Sequence, residues 1–399
     1  MGARVSRFPR GNSLMNEKDY LTNKNFCPIP WTGFMYNFDG TVKNCIRNPQ
    51  PIGNLKDNTI TEILQGERNC LTKHNMTYNK PGPSCGVCYD LEKNTNSFDV
   101  ISDRIFYLKE LKDVSLNTYK SIDTVNLSTI DIRWNNICNF SCVYCSPEFS
   151  SKWATELEVK FDEVPQHRYL QLKNYIFEHA KQLKHVYLAG GEPLLMKENL
   201  ELLNLLKTQN PNVNLRINTN LSKVDTRIFD LICEFPNVHW IVSVESMEQE
   251  YEYIRYGGSW ADFLDNLTQI QKLGHKISFN MLHFLLNYNS IFDCIEFLQA
   301  HGFHNNSFVV GALTEPEHLN IRHLPSRGLD LVKERLENLI SQKPGFLLEN
   351  GLKNVLQYIQ SPIEKNIDYC LMEIAKMDQR RNINSRAVFT ELYNLLERQ

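Results

Sequence analysis

Residues Asn136–Pro147 read NICNFSCVYCSP. Three cysteines, Cys138, Cys142 and Cys145, stand in the spacing C-x-x-x-C-x-x-C, with Tyr144 just before the last. The preceding run, Thr129-Ile130-Asp131-Ile132-Arg133-Trp134, alternates apolar and polar residues as a strand does. The cysteines therefore fall in a loop leaving the C-terminal end of a strand. Thiolates are soft ligands that suit iron–sulfur clusters and zinc. Three is an odd number for a structural zinc site, which takes four. A cubane cluster held by three cysteines leaves one iron without a protein ligand, open to a substrate or cofactor.

Downstream, Val186-Tyr187-Leu188-Ala189-Gly190-Gly191-Glu192-Pro193 is an apolar strand ending in Gly-Gly-Glu-Pro. The two stretches, in this order, resemble the radical S-adenosylmethionine (radical SAM) superfamily. The resemblance implies a 4Fe–4S cluster on Cys138, Cys142 and Cys145 whose open iron chelates SAM. It also implies that Tyr144 packs near the adenine and that Gly190, Gly191, Glu192 and Pro193 bind the SAM amino group. A zinc knuckle or a set of reduced core cysteines is the bland alternative.

From Val125 onward, strand and helix patterns alternate. Helical sequence covers 156–160 and 169–182, strand two 186–189, a helix 199–207 and strand three 214–220. A helix over 226–233, strand four over 240–245 and a helix over 260–273 follow, the last stopping at Gly274. Strand five is 276–282, its helix 291–301, and strand six 307–310. Six repeats argue a parallel sheet with outer helices. With the resemblance, the expected fold class is α/β, a partial (β/α)6 TIM-like barrel. Its site belongs at the carboxyl ends of the strands, where Thr219 and Asn220, and then Ser243 and Glu245, also fall. Thr219-Asn220 resembles the family's third-strand end. Ser243 and Glu245 resemble its ribose-contacting fourth-strand end. Arg255 is either a bidentate partner of the SAM carboxylate or a surface arginine. Glu192 either braces its loop or faces the SAM ammonium.

Before the barrel, Gly33–Phe38, the Asp39-Gly40 turn and Thr41–Cys45 read as a β-hairpin. A short helix over 61–64 follows, and Pro81-Gly82-Pro83 precedes Cys85-Gly86-Val87-Cys88. A cysteine at each base of a hairpin, then a C-x-x-C, makes a four-thiolate site from Cys27, Cys45, Cys85 and Cys88. This module resembles the twitch domain, a shortened SPASM-like auxiliary-cluster domain, and the resemblance implies a second 4Fe–4S cluster. A zinc site from the same residues is the alternative. Cys70 falls outside the pattern. In the better-known arrangement the module follows the barrel; here it precedes it.

The expected domains are a disordered leader over 1–25, the auxiliary domain over 26–96, a linking helix and linker over 97–124, the barrel over 125–312, and a helical extension over 313–399. Within the extension, helices are expected at 329–340, 352–359 and 388–396. The polar run Met377–Asn382 reads as a solvated helix end, with contact to substrate as the alternative. Met1-Gly2-Ala3-Arg4-Val5-Ser6 fits a permissive myristoylation pattern, against a plain polar leader.

At 22% charged residues and net charge −3, the chain lacks the electrostatic footprint of a nucleic-acid binder. No apolar run approaches a membrane span and no secretory signal shows, so a cytoplasmic location is expected. Eleven cysteines then read as metal or redox ligands rather than disulfides. The resemblance implies reductive cleavage of SAM to a 5′-deoxyadenosyl radical and hydrogen abstraction from a small-molecule or peptide substrate. An external one-electron donor such as flavodoxin or ferredoxin would feed the reaction. Four auxiliary thiolates close that cluster to substrate, which suits an electron relay and a net oxidation. A radical SAM isomerase or epimerase, an RNA-modifying enzyme, and a non-catalytic zinc-binding interaction protein remain the alternatives.

Overall fold

The computed structural model describes residues 25–78, 80, 82–92, 102–111, 119 and 121–397. The expected leader, Asn25 excepted, and most of the expected linker around the helix Asp103–Glu110 lie outside these residues. The chain forms two compact units. One comprises residues up to Asp131 together with Glu163–Lys184; the other comprises Ile132–Asp162 and His185 onward.

In the first unit the hairpin forms as its turn dictates. Strands β1 (Gly33–Tyr36) and β2 (Thr41–Lys43) pair antiparallel, with Met35 opposite Lys43. Gly40 takes φ +91°, a left-handed conformation that favours glycine. The Asp39 carboxylate accepts the Thr41 N–H at 2.9 Å. A third strand, β3 (Gly53–Asn54), adds antiparallel to β2. Ile60–Leu64 starts at a reciprocal Thr59–Glu62 cap. A helix over Glu67–Thr77, unmarked in the sequence reading, carries Cys70 and Met76 inward. Phe26, Trp31, Met76 and Tyr119 form a small core against which Cys27 and Cys85 pack.

The second unit is the barrel. Strands β5 (His185–Leu188), β6 (Asn214–Thr219), β7 (Val238–Ser243), β8 (Lys276–His283) and β9 (Phe308–Ala312) pair parallel in sequence order. The chain enters from β4 (Thr129–Ile132), whose final carbonyl accepts the Ala189 N–H at 3.2 Å. Counting β4, of which only Ile132 belongs to this unit, six strands follow in chain order as the expected partial (β/α)6 barrel requires. In β6 and β7 every second residue is fully buried, the mark of a face covered by helices. β4 departs from the alternation, since all four of its residues are buried. The helix expected at 156–160 instead spans Ser151–Glu156, capped by Ser150; Glu158, at φ +54°, has already left the helical conformation.

Past β9 the chain is helical, with two α-helices more than the three expected: Ile367–Arg381 and Ser385–Val388, besides Ser326–Ser341, Phe346–Gln360 and Thr390–Glu397. Phe346–Gln360 lies against the edge strand β9. A Cβ on Gly351 would meet the Val310 carbonyl oxygen at 2.5 Å, so glycine permits the contact. The run Met377–Asn382 is not a solvated helix end. Met377 and Arg381 are buried, and Asp378 accepts the Tyr253 hydroxyl at 2.6 Å. Asn382 then ends the helix in the left-handed conformation.

Candidate active site

The cysteine loop leaves β4 and is pinned on two sides. On one side the Ser141 and Val143 N–H groups donate to the Tyr256 and Ile254 carbonyls at 2.9 and 2.8 Å. On the other, Ser151 Oγ accepts the Cys138 N–H at 3.1 Å, and the Trp153 indole N–H donates to the Cys142 carbonyl at 2.7 Å. The loop's shape is thus set by backbone groups outside it, which frees its side chains for ligation. Burial pushes the Cys138 thiol up to about 12, with Cys142 adding to the shift. Cys142 and Cys145 are raised too, chiefly by burial, and Cys138 and Cys142 both act on Cys145. Thiols raised in this way have no reason to ionise unless a cation compensates them.

Gly190-Gly191-Glu192-Pro193 follows β5 and lies against this loop. Gly190 has φ +117°. A Cβ on Gly191 would stand 2.1 Å from the Ile137 carbonyl oxygen, which itself accepts the Glu192 N–H at 2.7 Å. The Glu192 side chain is fully buried. It accepts from the Leu194 N–H, the Thr219 hydroxyl and the Asn220 N–H at 3.1, 2.8 and 2.7 Å. Burial still pushes its carboxyl up to about 7 against those donors. Of its two readings, Glu192 braces: it ties the end of β5 to the end of β6. Pro193 opens a 3-10 turn held by Asn199, whose Nδ2 donates to the Pro193 carbonyl at 2.8 Å.

Asn220 bridges the two motifs. Its Nδ2 donates to Asn139 Oδ1 at 3.1 Å and stands 3.8 Å from Cys138 Sγ. Ser243 ends β7 half-buried, opposite Asn280. Glu245 and Arg255 are both buried and form a bidentate pair at 2.8 and 2.9 Å. Arg255 therefore is no surface arginine. Its Nη2 also donates to the Tyr144 hydroxyl at 2.6 Å, and its Nη1 stands 4.0 Å from Cys142 Sγ. Burial pushes Glu245 up and Arg255 pulls it back, a pair whose charges compensate each other. The barrel thus brings every barrel residue singled out from the sequence to the strands' carboxyl ends. Sequence reasoning missed Asn139, Trp153, Glu156, Tyr256 and Arg381, which support the loop. Only the proximity of Trp153 and Glu156 to the cysteines offered a signal.

In the first unit, Cys27, Cys45, Cys85 and Cys88 form a second thiol group. Burial raises Cys27 most, and the other three cysteines each add to the shift. Burial pushes Cys45 up to about 12, with Cys88 next in effect. Cys70 stands apart: its thiol donates to the Gln65 and Ile122 carbonyls at 3.3 Å. Among the described residues no three His, Cys, Asp or Glu side chains are gathered closely enough to hold a single metal ion. A cubane cluster, by contrast, spreads its thiolates over separate irons. Both cysteine groups fit that donor chemistry.

Residues 132–298 match the radical SAM superfamily, and residues 27–89 match the SPASM iron–sulfur cluster-binding domain. The chain is similar to GTP 3′,8-cyclase of Campylobacter lari, 24% identical over 167 residues, 41% of this chain and 49% of that protein. It is also similar to 7-carboxy-7-deazaguanine synthase of Clostridium acetobutylicum, 44% identical over 69 residues, 17% of this chain and 27% of that one. The chain spans about half the length of the cyclases it matches. Streptococcus suis SuiB bound to its precursor peptide SuiA aligns over 71% of this chain and 63% of its own. That likeness, at 14% identity and a TM-score of 0.40, is too loose to bear on substrate. A radical SAM domain implies a 4Fe–4S cluster and SAM, and a SPASM domain a further iron–sulfur cluster. Residues 132–298 thus carry a radical SAM domain, preceded in the sequence by a SPASM domain at 27–89.

Proposed function

We propose that this enzyme uses SAM as an oxidant, removing a hydrogen atom from a small carbohydrate-like molecule or a peptide residue with net two-electron oxidation. The observation that carries this reading is the second group of four thiols, Cys27, Cys45, Cys85 and Cys88, one more than the open cluster needs. When bound, a reduced cluster with SAM supplies methionine and a 5′-deoxyadenosyl radical, and a fully ligated auxiliary cluster supplies an electron acceptor. The chain's own residues bind and orient. Cys138, Cys142 and Cys145 hold the open cluster; Cys27, Cys45, Cys85 and Cys88 hold the auxiliary one, making the leading module of the twitch type. Gly190 and Gly191 let backbone approach the SAM amino group without a Cβ. Glu192, Pro193, Thr219 and Asn220 keep that rim in register. Tyr144 lies toward the adenine, and Ser243 and Glu245 toward the ribose. Arg255, with Nε and Nη2 taken by Glu245 and Tyr144, has Nη1 left for the SAM carboxylate.

The domain division of the sequence reading goes with this proposal: leader to 25, auxiliary domain to 96, linker to 124, barrel to 312, helical extension beyond. A one-electron donor such as flavodoxin or ferredoxin reduces the open cluster. No helix among the described residues is long and apolar enough to cross a membrane, and we place the enzyme in the cytoplasm. A second reading, a ring closure on a purine nucleotide without change of oxidation state, is favoured by the name of the cyclase relatives. Anaerobic incubation with deuterated candidates, followed by mass spectrometry of 5′-deoxyadenosine, separates the two. Deuterium in that product names the substrate. A substrate-derived product two electrons more oxidised supports the first reading; one of unchanged oxidation state defeats it in favour of the second.

A further inference from the structure

Arg381 lies beyond both matched domains, at the last turn of the helix Ile367–Arg381. Its side chain is 2% exposed, although it carries a full charge. The guanidinium carbon stands 4.4 Å from the Trp153 ring centre and 4.6 Å from that of Tyr256. Its Nε and Nη2 donate to the Glu156 carboxylate at 3.0 Å. Arg380 donates to the same carboxylate at 2.6 Å. Two cations therefore share one carboxylate, and a net positive charge remains beside the loop. Arg381 Nη1 is buried with no hydrogen-bond partner among the described residues.

The two rings are not arbitrary neighbours. Trp153 donates its indole N–H to the Cys142 carbonyl, and the Tyr256 carbonyl accepts the Ser141 N–H. Arg381 thus grips both flanks of the segment that carries Cys142. A buried cation over aromatic faces is held more firmly than an exposed one, and a nearby positive charge eases the addition of an electron.

We propose that Arg381 is a positioning residue of the radical SAM site: it fixes the Cys142 segment through Trp153 and Tyr256, and its charge raises the midpoint potential of the cluster held there. This rests on the reading that Cys138, Cys142 and Cys145 hold a cluster. The test follows the electron paramagnetic resonance signal that responds to added SAM, a response confined to a cluster with an open iron. Its midpoint is measured by redox titration, and iron loss to a chelator is followed in parallel. Arg381→Met should lower the midpoint and speed chelation of the SAM-responsive cluster several-fold. Arg381→Lys keeps the charge and loses the fork, so the midpoint stays near wild type while chelation quickens. Trp153→Phe keeps a ring and removes the N–H to Cys142; it too should quicken chelation. Wild-type midpoint and chelation rate in Arg381→Met would overturn the proposal. If that variant does not fold, wild-type chelation rates in both Arg381→Lys and Trp153→Phe overturn it instead. Absence of any SAM-responsive signal in the wild-type protein would defeat the underlying reading, a separate outcome.

Discussion

Replacing Gly191 by alanine should disable the site through backbone contact alone. The added Cβ would lie 2.1 Å from the Ile137 carbonyl oxygen, 2.6 Å from its carbon and 2.7 Å from the Asn136 oxygen. Ordinary contact begins near 3.4 Å, so the segment before Cys138 must retreat by about 1.3 Å. That retreat stretches the bonds that Ile137 and Asn136 accept from the Glu192 and Ser151 N–H groups, both 2.7 Å long. Each is worth about 1 kcal/mol, and overpacking adds about 1–3 kcal/mol. The expected loss of folding stability is therefore on the order of 3–5 kcal/mol. A displacement of this size also costs roughly a hundredfold in rate where reacting groups must be aligned. Gly274→Ala is the matched control: it has φ +70° and nothing within 4 Å of an added Cβ. Only the left-handed conformation opposes it, at about 1 kcal/mol. Urea unfolding and reductive SAM cleavage should be measured on both variants. Equal stability loss in the two, or wild-type cleavage by Gly191→Ala, would refute the close-approach argument.

Three further outcomes are expected. Cys138→Ala, Cys142→Ala and Cys145→Ala should each abolish reductive SAM cleavage, assayed as 5′-deoxyadenosine. Single changes at Cys27, Cys45, Cys85 or Cys88 should halve the iron and leave some uncoupled cleavage, while Cys70→Ala keeps the full iron content; equal iron loss from Cys70→Ala and Cys85→Ala would break the ligand assignment. For Glu192, burial raises the folded carboxyl above its unfolded value, so ionisation costs stability as pH rises from about 4.5 to about 7 and the cost is level above. The unfolding free energy of the wild type minus that of Glu192→Gln should therefore fall over this window, by an amount on the order of a few kcal/mol; a flat difference, measured by denaturant titration across pH, would show that Glu192 is not the group responsible.

The barrel and its rim were legible because they rest on short-range signals. The Gly190-Gly191 pair marks a backbone approach, Gly274 ends a helix, and Asp39-Gly40 turns a hairpin, each within a few residues. The rest needed long-range information. Nothing near Arg381 shows that it stacks between Trp153 and Tyr256. Its run of charged and amide residues is what a solvated helix end would also show, and the exposed neighbour Arg380 shares its carboxylate. Arg255 was ambiguous for a related reason, since its partner Glu245 lies ten residues back, on the far side of the helix Glu248–Ile254. The wholly buried β4 shows that a strand can be covered despite polar alternation: Thr129 and Asp131 on one face are buried as Ile130 and Ile132 are on the other.

The most direct measurement is metal and product analysis of the anaerobically reconstituted protein after reduction and addition of SAM. The account predicts a brown, oxygen-sensitive protein with about eight iron and eight sulfide per chain, which forms 5′-deoxyadenosine and methionine, and loses that product in Cys142→Ala. A colourless protein with stoichiometric zinc and no 5′-deoxyadenosine would contradict it and leave a zinc-bearing interaction module in its place.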